Sequence, residues 1–144
     1  MKILPIDKYK LHYPNENILV LVDIDKFLEK FKIDSPEYFV GVDTTRSFSA
    51  NRIEKASDYI SKYGDDNRWI NPKSGERDEY EVVFEPTLAS IYNGKLGVTD
   101  GRHRMVALKK LGYTHAHIEV PQDQKKWNYY YNQRWVTWED GVMG

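Results

Sequence analysis

Two arginines and a histidine stand together in Asp100–Arg104, a stretch whose residue types could bind an oxyanion. Lys95–Thr99 before it is predicted to be a short strand, and the apolar residues after it recur at helical spacing. The first turn of a helix presents unpaired backbone N–H groups and the positive end of the helix dipole. Because cations there oppose the dipole, a phosphate bound by amides and guanidinium groups would compensate them. We therefore predict an anion-binding turn; the alternative is a helix cap whose arginines are solvated.

Each residue of this turn has a chemical role and a structural alternative. Gly101 has no Cβ, so a phosphate could approach its backbone closely. Arg102 and Arg104 could bind phosphate oxygens, but residues two apart on a helix do not share a face, so one should dominate. His103 could donate to a phosphate oxygen or transfer a proton near neutral pH; alternatively it only bonds a neighbouring carbonyl. Asp100 could bind Mg²⁺ together with phosphates; alternatively it is the N-cap of the helix.

A phosphoryl-transfer or hydrolytic enzyme also needs a group that orients the nucleophile. Glu85 is our first choice for this catalytic role, together with His103, because it ends a predicted strand just before Pro86. Asp43 and Glu81 are alternatives. Each of the three carboxylates could instead be an ordinary surface group.

The composition restricts the class of protein. A chain of 144 residues most simply forms one domain, here residues 1–144. The absence of Cys excludes disulfides, thiolate catalysis and Cys-based zinc sites. The histidines outside the turn do not form a convincing metal set; they are His12, His115 and His117. The formal net charge of −1 argues against duplex DNA as a partner. No apolar run is long enough to span a membrane, so we expect a cytoplasmic protein.

The remaining elements predict an α+β fold with a mixed sheet. Strands are predicted at Ile3–Ile6, Ile18–Val22, Tyr38–Val42, Glu81–Phe84, Leu88–Tyr92, Lys95–Thr99 and Ala116–Val120. One helix should follow a cap at Asp23 or Asp25, a second should run from Ser49 to about Tyr63, and the third should end near Gly112. Asn93-Gly94 is a strong signal for a two-residue hairpin turn, and this hairpin leads the chain directly into the anion-binding turn.

Two stretches fit no regular element. Residues 64–79 are polar and predict a loop, either a flap near the site or a surface excursion. Residues 122–144 form an aromatic segment that includes Trp127, Trp135 and Trp138. These side chains could stack on bases, pack on their own domain or contact a protein partner.

The segment from Glu85 to Pro121 resembles the ParB/sulfiredoxin superfamily. The resemblance rests on the Asn93-Gly94 hairpin, the Asp-Gly-Arg-His-Arg sequence, the following helix with its terminal Gly112, and the closing strand. It is greatest to small "ParB-like nuclease" proteins of phages and plasmids that carry a DGxHR motif. It implies a compact mixed sheet with flanking helices, a motif that binds ATP or CTP, and a leading role for Arg104. Arg102 occupies the position of the sulfiredoxin catalytic Cys, which excludes sulfinic-acid reduction.

These observations lead to two functional hypotheses from different classes. The first is a nucleotide- or phosphate-binding protein that catalyses Mg²⁺-dependent phosphoryl transfer, or hydrolysis of a nucleotide or phosphodiester. The second is a non-enzymatic phage- or plasmid-type protein that acts on a host factor through its aromatic C-terminal surface. DNA binding for partition is disfavoured, because the chain is too short for the additional domains that partition proteins carry.

Overall fold

The described part of the protein contains four strands, three α-helices and one short 3₁₀ turn. The computed structural model describes residues 2–4, 9–39, 47–64, 84–92 and 95–122. The strands are β1 (Asn17–Asp23), β2 (Thr87–Tyr92), β3 (Lys95–Asp100) and β4 (His115–Pro121). The α-helices are α1 (Ile24–Asp34), α2 (Ala50–Tyr63) and α3 (Arg102–Lys110). The predicted α+β class is confirmed.

The strands form one mixed sheet in the order β1–β4–β2–β3. β1 and β4 are antiparallel, with Val20 opposite Ile118, whereas β2 runs parallel to β4. β2 and β3 form an antiparallel pair in which Tyr92 lies opposite Lys95. Two residues therefore connect these strands, as the Asn93-Gly94 signal predicted, although the turn itself lies outside the described residues.

Side-chain caps fix the starts of the first two helices. The Asp23 carboxylate accepts a hydrogen bond from the Lys26 N–H at 3.0 Å, which selects Asp23 over Asp25 as the cap of α1. Ser49 Oγ accepts from the Arg52 N–H at 3.3 Å at the start of α2. Both caps satisfy amides that the helix cannot pair internally, so the predicted boundaries are confirmed.

The core forms where the helices meet the sheet and one another. α1 contacts β1, β3 and α3, and α2 packs on α3. Burying an aliphatic or aromatic side chain of this kind contributes roughly 1.5–3 kcal/mol. The largest fully buried side chains are Leu4, Ile24, Phe27, Phe31, Ile60, Phe84, Leu96, Met105, Leu108, Ile118 and Glu119. A carboxylate is thus buried among apolar residues and requires an explanation.

The segment after α1 differs from its predicted structure. Pro36–Tyr38 form a 3₁₀ turn that continues into Phe39, so the prediction of an extended Tyr38–Val42 is wrong for its described residues. Pro36 favours this outcome because its fixed φ suits the first position of a helical turn. The rings of Tyr38 and Phe39 then pack on Phe31, with centroids at 5.0 and 5.6 Å.

Two other strand predictions fare differently: the one at Ile3–Ile6 is wrong for its described residues, and the one at Glu81–Phe84 is reduced to a single bridge at its described residue. Ile3 and Leu4 are not in a strand, and Phe84 forms a single parallel bridge with Tyr9. The rest of both predictions lies outside the described residues. The same holds for the loop beyond Gly64, for Asp43 and Glu81, and for the aromatic segment beyond Gln122, with Trp127, Trp135 and Trp138. None of the described helices is long and apolar enough to cross a membrane.

Candidate phosphate and metal site

Helix α3 begins at the predicted turn but is capped differently from α1 and α2. Its N-cap is Gly101, with φ +89°, and no side chain caps its first amides. Asp100 is the last residue of β3, so the interpretation of Asp100 as the N-cap is wrong. The N–H groups of the first turn therefore have no side-chain cap within the described residues, which is the arrangement an anion-binding turn needs.

Gly101 is required by backbone conformation and by packing. A positive φ of this size strains any residue that carries a Cβ. A Cβ here would lie 2.9 Å from Thr87 Cα and 3.0 Å from Thr87 Oγ1. Thr87 Oγ1 also donates a hydrogen bond to the Gly101 carbonyl at 2.9 Å. The missing Cβ thus allows Thr87 of β2 to pack against Gly101. Close approach of a phosphate to the Gly101 backbone stays a prediction.

The two arginines of the turn point to different surroundings. The Arg102 guanidinium carbon lies 5.1 Å from the centroid of the Tyr38 ring. Arg104 instead lies within electrostatic range of two carboxylates, Glu85 and Asp100. The divergence follows from their spacing, because side chains two apart on a helix project in different directions.

Arg104 is largely removed from solvent beside these carboxylates. Burial lowers its pKa, and Glu85, Asp100, Tyr9 and Tyr59 act in the opposite direction, but a guanidinium keeps its charge in proteins. Its Nη1 atom is inaccessible to solvent and has no hydrogen-bond partner among the described residues. An unpaired, buried N–H of a cation is costly, and an incoming oxyanion would remove that cost.

Two tyrosines also lie within electrostatic range of Arg104. Burial raises the pKa of both Tyr9 and Tyr59, so both stay neutral at physiological pH. Tyr59 projects from α2, and its ring meets Phe84 edge to face at 5.4 Å. The Tyr9 hydroxyl is buried without a well-formed hydrogen bond to any described residue, although the His117 backbone is close. Among the described residues that act on Arg104, Glu85 and Asp100 are therefore the negatively charged ones.

His12, Glu85 and Asp100 form a group of metal-binding character next to Arg104. One side-chain ligand atom from each lies within 4.8 Å of the others. Glu85 and Asp100 are exposed and His12 is partly buried, so solvent can reach the group. Both carboxylates were predicted site residues, but the histidine predicted to act with Glu85 was His103, and His12 was not predicted to join them.

Strand pairing explains why the three residues meet. The β2–β3 register shifts between Leu88 and Ala89, so Leu88 lies opposite Asp100 and Glu85 falls near the start of α3. The segment carrying His12 runs alongside residues 84–86, because the Lys10 N–H donates to the Phe84 carbonyl at 3.0 Å. His12 Nε2 then donates to the Pro86 carbonyl at 3.1 Å.

A buried carboxylate on β4 holds the loop that carries His12. Glu119 is 0% exposed and accepts three hydrogen bonds. The backbone N–H groups of His12 and Tyr13 donate at 2.6 and 3.0 Å, and Asn17 Nδ2 donates at 2.7 Å. A buried charge is tolerated when its lone pairs are satisfied in this way. Glu119 was not predicted from the sequence, where its signal was a carboxylate between the two apolar residues Ile118 and Val120 of a predicted strand.

His103 is engaged with the start of α2. Its Nε2 accepts a hydrogen bond from the Ser49 N–H at 2.9 Å, and its ring meets Phe48 edge to face at 5.5 Å. Burial lowers the pKa of His103, and the nearby charges of Arg102 and Arg52 lower it further. The bond differs from the carbonyl contact considered as the alternative, because here the ring nitrogen is the acceptor. A catalytic role for His103 stays a prediction.

The other two histidines lie apart from the group. His117 is buried on β4 and its ring packs edge to face on Tyr9 at 5.6 Å. His115 Nδ1 lies 2.9 Å from Thr114 Oγ1.

The residues that meet here are able to bind the two groups predicted from the sequence, a divalent cation and a phosphate. Two carboxylates can bind a divalent cation, and an arginine at an uncapped helix N-terminus can bind a phosphate. No family model matches the chain, and comparisons with the curated proteins and with the solved structures give no match either. The geometry of Arg104 and its neighbours is therefore the basis on which a function is proposed.

Proposed function

We propose that the protein binds a nucleotide or a related phosphate at Gly101–Arg104, together with a divalent cation at Asp100 and Glu85. The observation that carries this proposal is the buried, unpaired Nη1 of Arg104, which stands beside two exposed carboxylates at the uncapped start of α3. Arg104 supplies a guanidinium donor and the helix supplies amides, which are the groups that recur in phosphate sites.

The charges of the site make cation and phosphate binding interdependent. Glu85 and Asp100 with Arg104 leave one net negative charge, which repels a phosphate. A divalent cation between the carboxylates reverses the sign of the local charge, so the phosphate would be attracted only when the cation is present. By linkage, the phosphate must raise the affinity for the cation by the same factor.

The same geometry suits phosphoryl transfer, or hydrolysis of a nucleotide or phosphodiester. A bound divalent cation would neutralise phosphate charge and activate a water molecule. Glu85 would orient the attacking water or hydroxyl, because it is exposed and adjoins the turn. His103, with its lowered pKa, is neutral near pH 7 and could accept a proton if it released the Ser49 amide.

The order of elements supports kinship with the ParB/sulfiredoxin superfamily. The β2–β3 hairpin leads into the Asp-Gly-Arg-His-Arg turn, α3 follows, and Gly112 with φ +88° ends that helix before β4. This is the sequence of elements on which the resemblance rests. We place the activity in the cytoplasm, where nucleotides are available and where a chain without Cys needs no oxidising compartment.

Thermal unfolding with a nucleotide panel tests the proposal. ATP, CTP and inorganic phosphate should raise the Tm only in the presence of a divalent cation. A ligand at about 100 times its Kd stabilises by roughly 2.7 kcal/mol, which is readily measured. Arg104→Ala should abolish this shift, and Arg102→Ala on the same turn is the matched control that should keep most of it. Loss of the shift in Arg102→Ala alone would move the phosphate to the Tyr38 side of α3.

A further inference from the structure

We infer that His12, Glu85 and Asp100 form a site for a divalent metal that accepts nitrogen ligands, such as Mn²⁺, Co²⁺ or Zn²⁺, in preference to Mg²⁺. The inference deepens the proposed function by naming the metal of the same site. The role of the metal rests on the proposed function, because the metal would assist phosphate binding. Metal binding itself requires no nucleotide.

The distances within the group are suitable for one shared ion. The three ligand atoms lie within 4.8 Å of one another. Metal–ligand bonds of about 2.0–2.2 Å place neighbouring ligand atoms about 3 Å apart, so small side-chain rotations close the site. Glu85 and Asp100 are exposed, and the described residues offer them no hydrogen bond or salt bridge that would resist this movement.

The hydrogen bond of His12 prepares its ring for a metal. Because a carbonyl only accepts, His12 Nε2 must be the protonated nitrogen in its contact with Pro86 at 3.1 Å. In the neutral ring Nδ1 then keeps its lone pair. Histidines that bind metals characteristically donate their other N–H to a carbonyl or carboxylate, which fixes the tautomer and the ring orientation.

The backbone of His12 is also fixed, by a group outside the cluster. Glu119 is fully buried on β4 and accepts the His12 N–H at 2.6 Å. Glu119 is therefore a positioning residue for His12, the nitrogen ligand, and would not itself contact the ion. A surface histidine held through both its backbone and its ring loses little freedom when a metal binds.

The mixed donor set decides which ion is preferred. Mg²⁺ favours oxygen ligands and retains several waters, whereas imidazole suits later first-row metals such as Zn²⁺, and the affinity of a site with nitrogen and oxygen ligands rises from Mn²⁺ to Co²⁺. Exchanging a water for the His12 nitrogen therefore gains more for Mn²⁺, Co²⁺ or Zn²⁺ than for Mg²⁺. Three protein ligands would leave coordination positions open on such an ion, and Arg104 lies within electrostatic range of two of these ligands.

Metal titrations of the full chain without nucleotide test this inference. Binding of MnCl₂ is followed by the loss of the free Mn²⁺ signal in electron paramagnetic resonance, and Co²⁺, Zn²⁺ and Mg²⁺ are compared as competitors. We expect one tight Mn²⁺ site that Co²⁺ and Zn²⁺ displace and that Mg²⁺ displaces only at large excess. His12→Ala should weaken Mn²⁺ binding at least about tenfold, since disturbing a ligand's supporting partner alone costs that much.

His115→Ala is the matched control, because it removes a histidine that lies apart from the group. Unchanged Mn²⁺ affinity in His12→Ala, or displacement by Mg²⁺ as effective as by Co²⁺, would overturn the inference. Circular dichroism shows whether His12→Ala is folded, and Asp100→Asn is a second ligand variant if it is not. Loss of the nucleotide shift in Arg104→Ala with Mn²⁺ binding retained separates the phosphate site from the metal site.

Discussion

Two kinds of carboxylate in this protein have opposite surroundings. Glu119 is fully buried, and three donors satisfy its oxygens. Glu85 and Asp100 are exposed and adjoin a cation whose buried Nη1 is unpaired in the described structure. The first arrangement holds the loop of His12 and Tyr13 in place. The second leaves carboxylate oxygens and a guanidinium N–H free to bind a ligand from solvent. Saturation of hydrogen bonds therefore separates the structural carboxylate from the two that we propose bind a cation more sharply than charge does.

The histidines repeat this comparison. His103 Nε2 is already occupied by the Ser49 N–H, which joins α3 to the start of α2. His12 donates through Nε2 to Pro86, which leaves its other ring nitrogen as an acceptor, and the imidazole lies close to two carboxylates. His103 was selected from the sequence for its place in the turn, whereas His12 owes its role to its neighbours in space.

The largest effect is expected from removing the satisfied carboxylate. Glu119→Ala leaves three donors unsatisfied, each of which costs about 1–3 kcal/mol when buried, so unfolding should become easier by about 3 kcal/mol or more. Glu85→Ala should change stability by less than about 0.5 kcal/mol, as exposed positions usually do. Chemical denaturation of the two variants measures both values. Equal losses would show that burial and saturation do not distinguish these carboxylates.

An intermediate effect on stability is expected from a change of pH, through His103, whose Nε2 already accepts a hydrogen bond. Burial and the charges of Arg102 and Arg52 lower the pKa of His103 below its ordinary value of 6.5. The unfolded chain therefore binds the proton first as the pH falls, so stability is complete above about pH 6.5 and decreases below it. Burial lowers the pKa of His117 in the same direction, so both histidines contribute.

The variant His103→Gln isolates the part that belongs to His103. The Gln amide oxygen can still accept from the Ser49 N–H but binds no proton, so the decrease in stability between pH 7 and pH 5 should become smaller. Urea unfolding at several pH values provides the measurement. An unaltered pH slope would assign the whole acid sensitivity to His117 and other groups.

The smallest effect on the free protein, and the most specific for the site, is expected from Asp100→Asn. The substitution removes one of two negative charges beside Arg104, so repulsion of a phosphate falls. Stability should change by less than about 0.5 kcal/mol, because Asp100 is exposed. Nucleotide binding in the absence of a cation should improve and its dependence on the cation should decrease, measured by isothermal titration calorimetry with and without MnCl₂. Undiminished cation dependence would contradict the electrostatic account of the site.

Local pattern was sufficient where the determining forces are local. Asp23 and Ser49 cap their helices as expected, and the two-residue β2–β3 connection carries Asp100 to the end of its strand. The same hairpin register brings Glu85 towards the start of α3. Pattern was insufficient at Tyr38, where burial of its ring against Phe31 accompanies a 3₁₀ turn in place of an extended segment.

The sequence by itself determined where a cationic turn begins, because a strand, a glycine that tolerates positive φ and a helix follow one another within a few residues. Only the tertiary structure decided which groups that turn faces. His12 reaches Glu119 across 107 positions of sequence, and neither spacing nor periodicity carries information over such a distance. Strand pairing places Glu119 beneath the loop and Thr87 against Gly101. Burial then favours a partner for each polar group there, and the unpartnered Nη1 of Arg104 beside two carboxylates marks the candidate site.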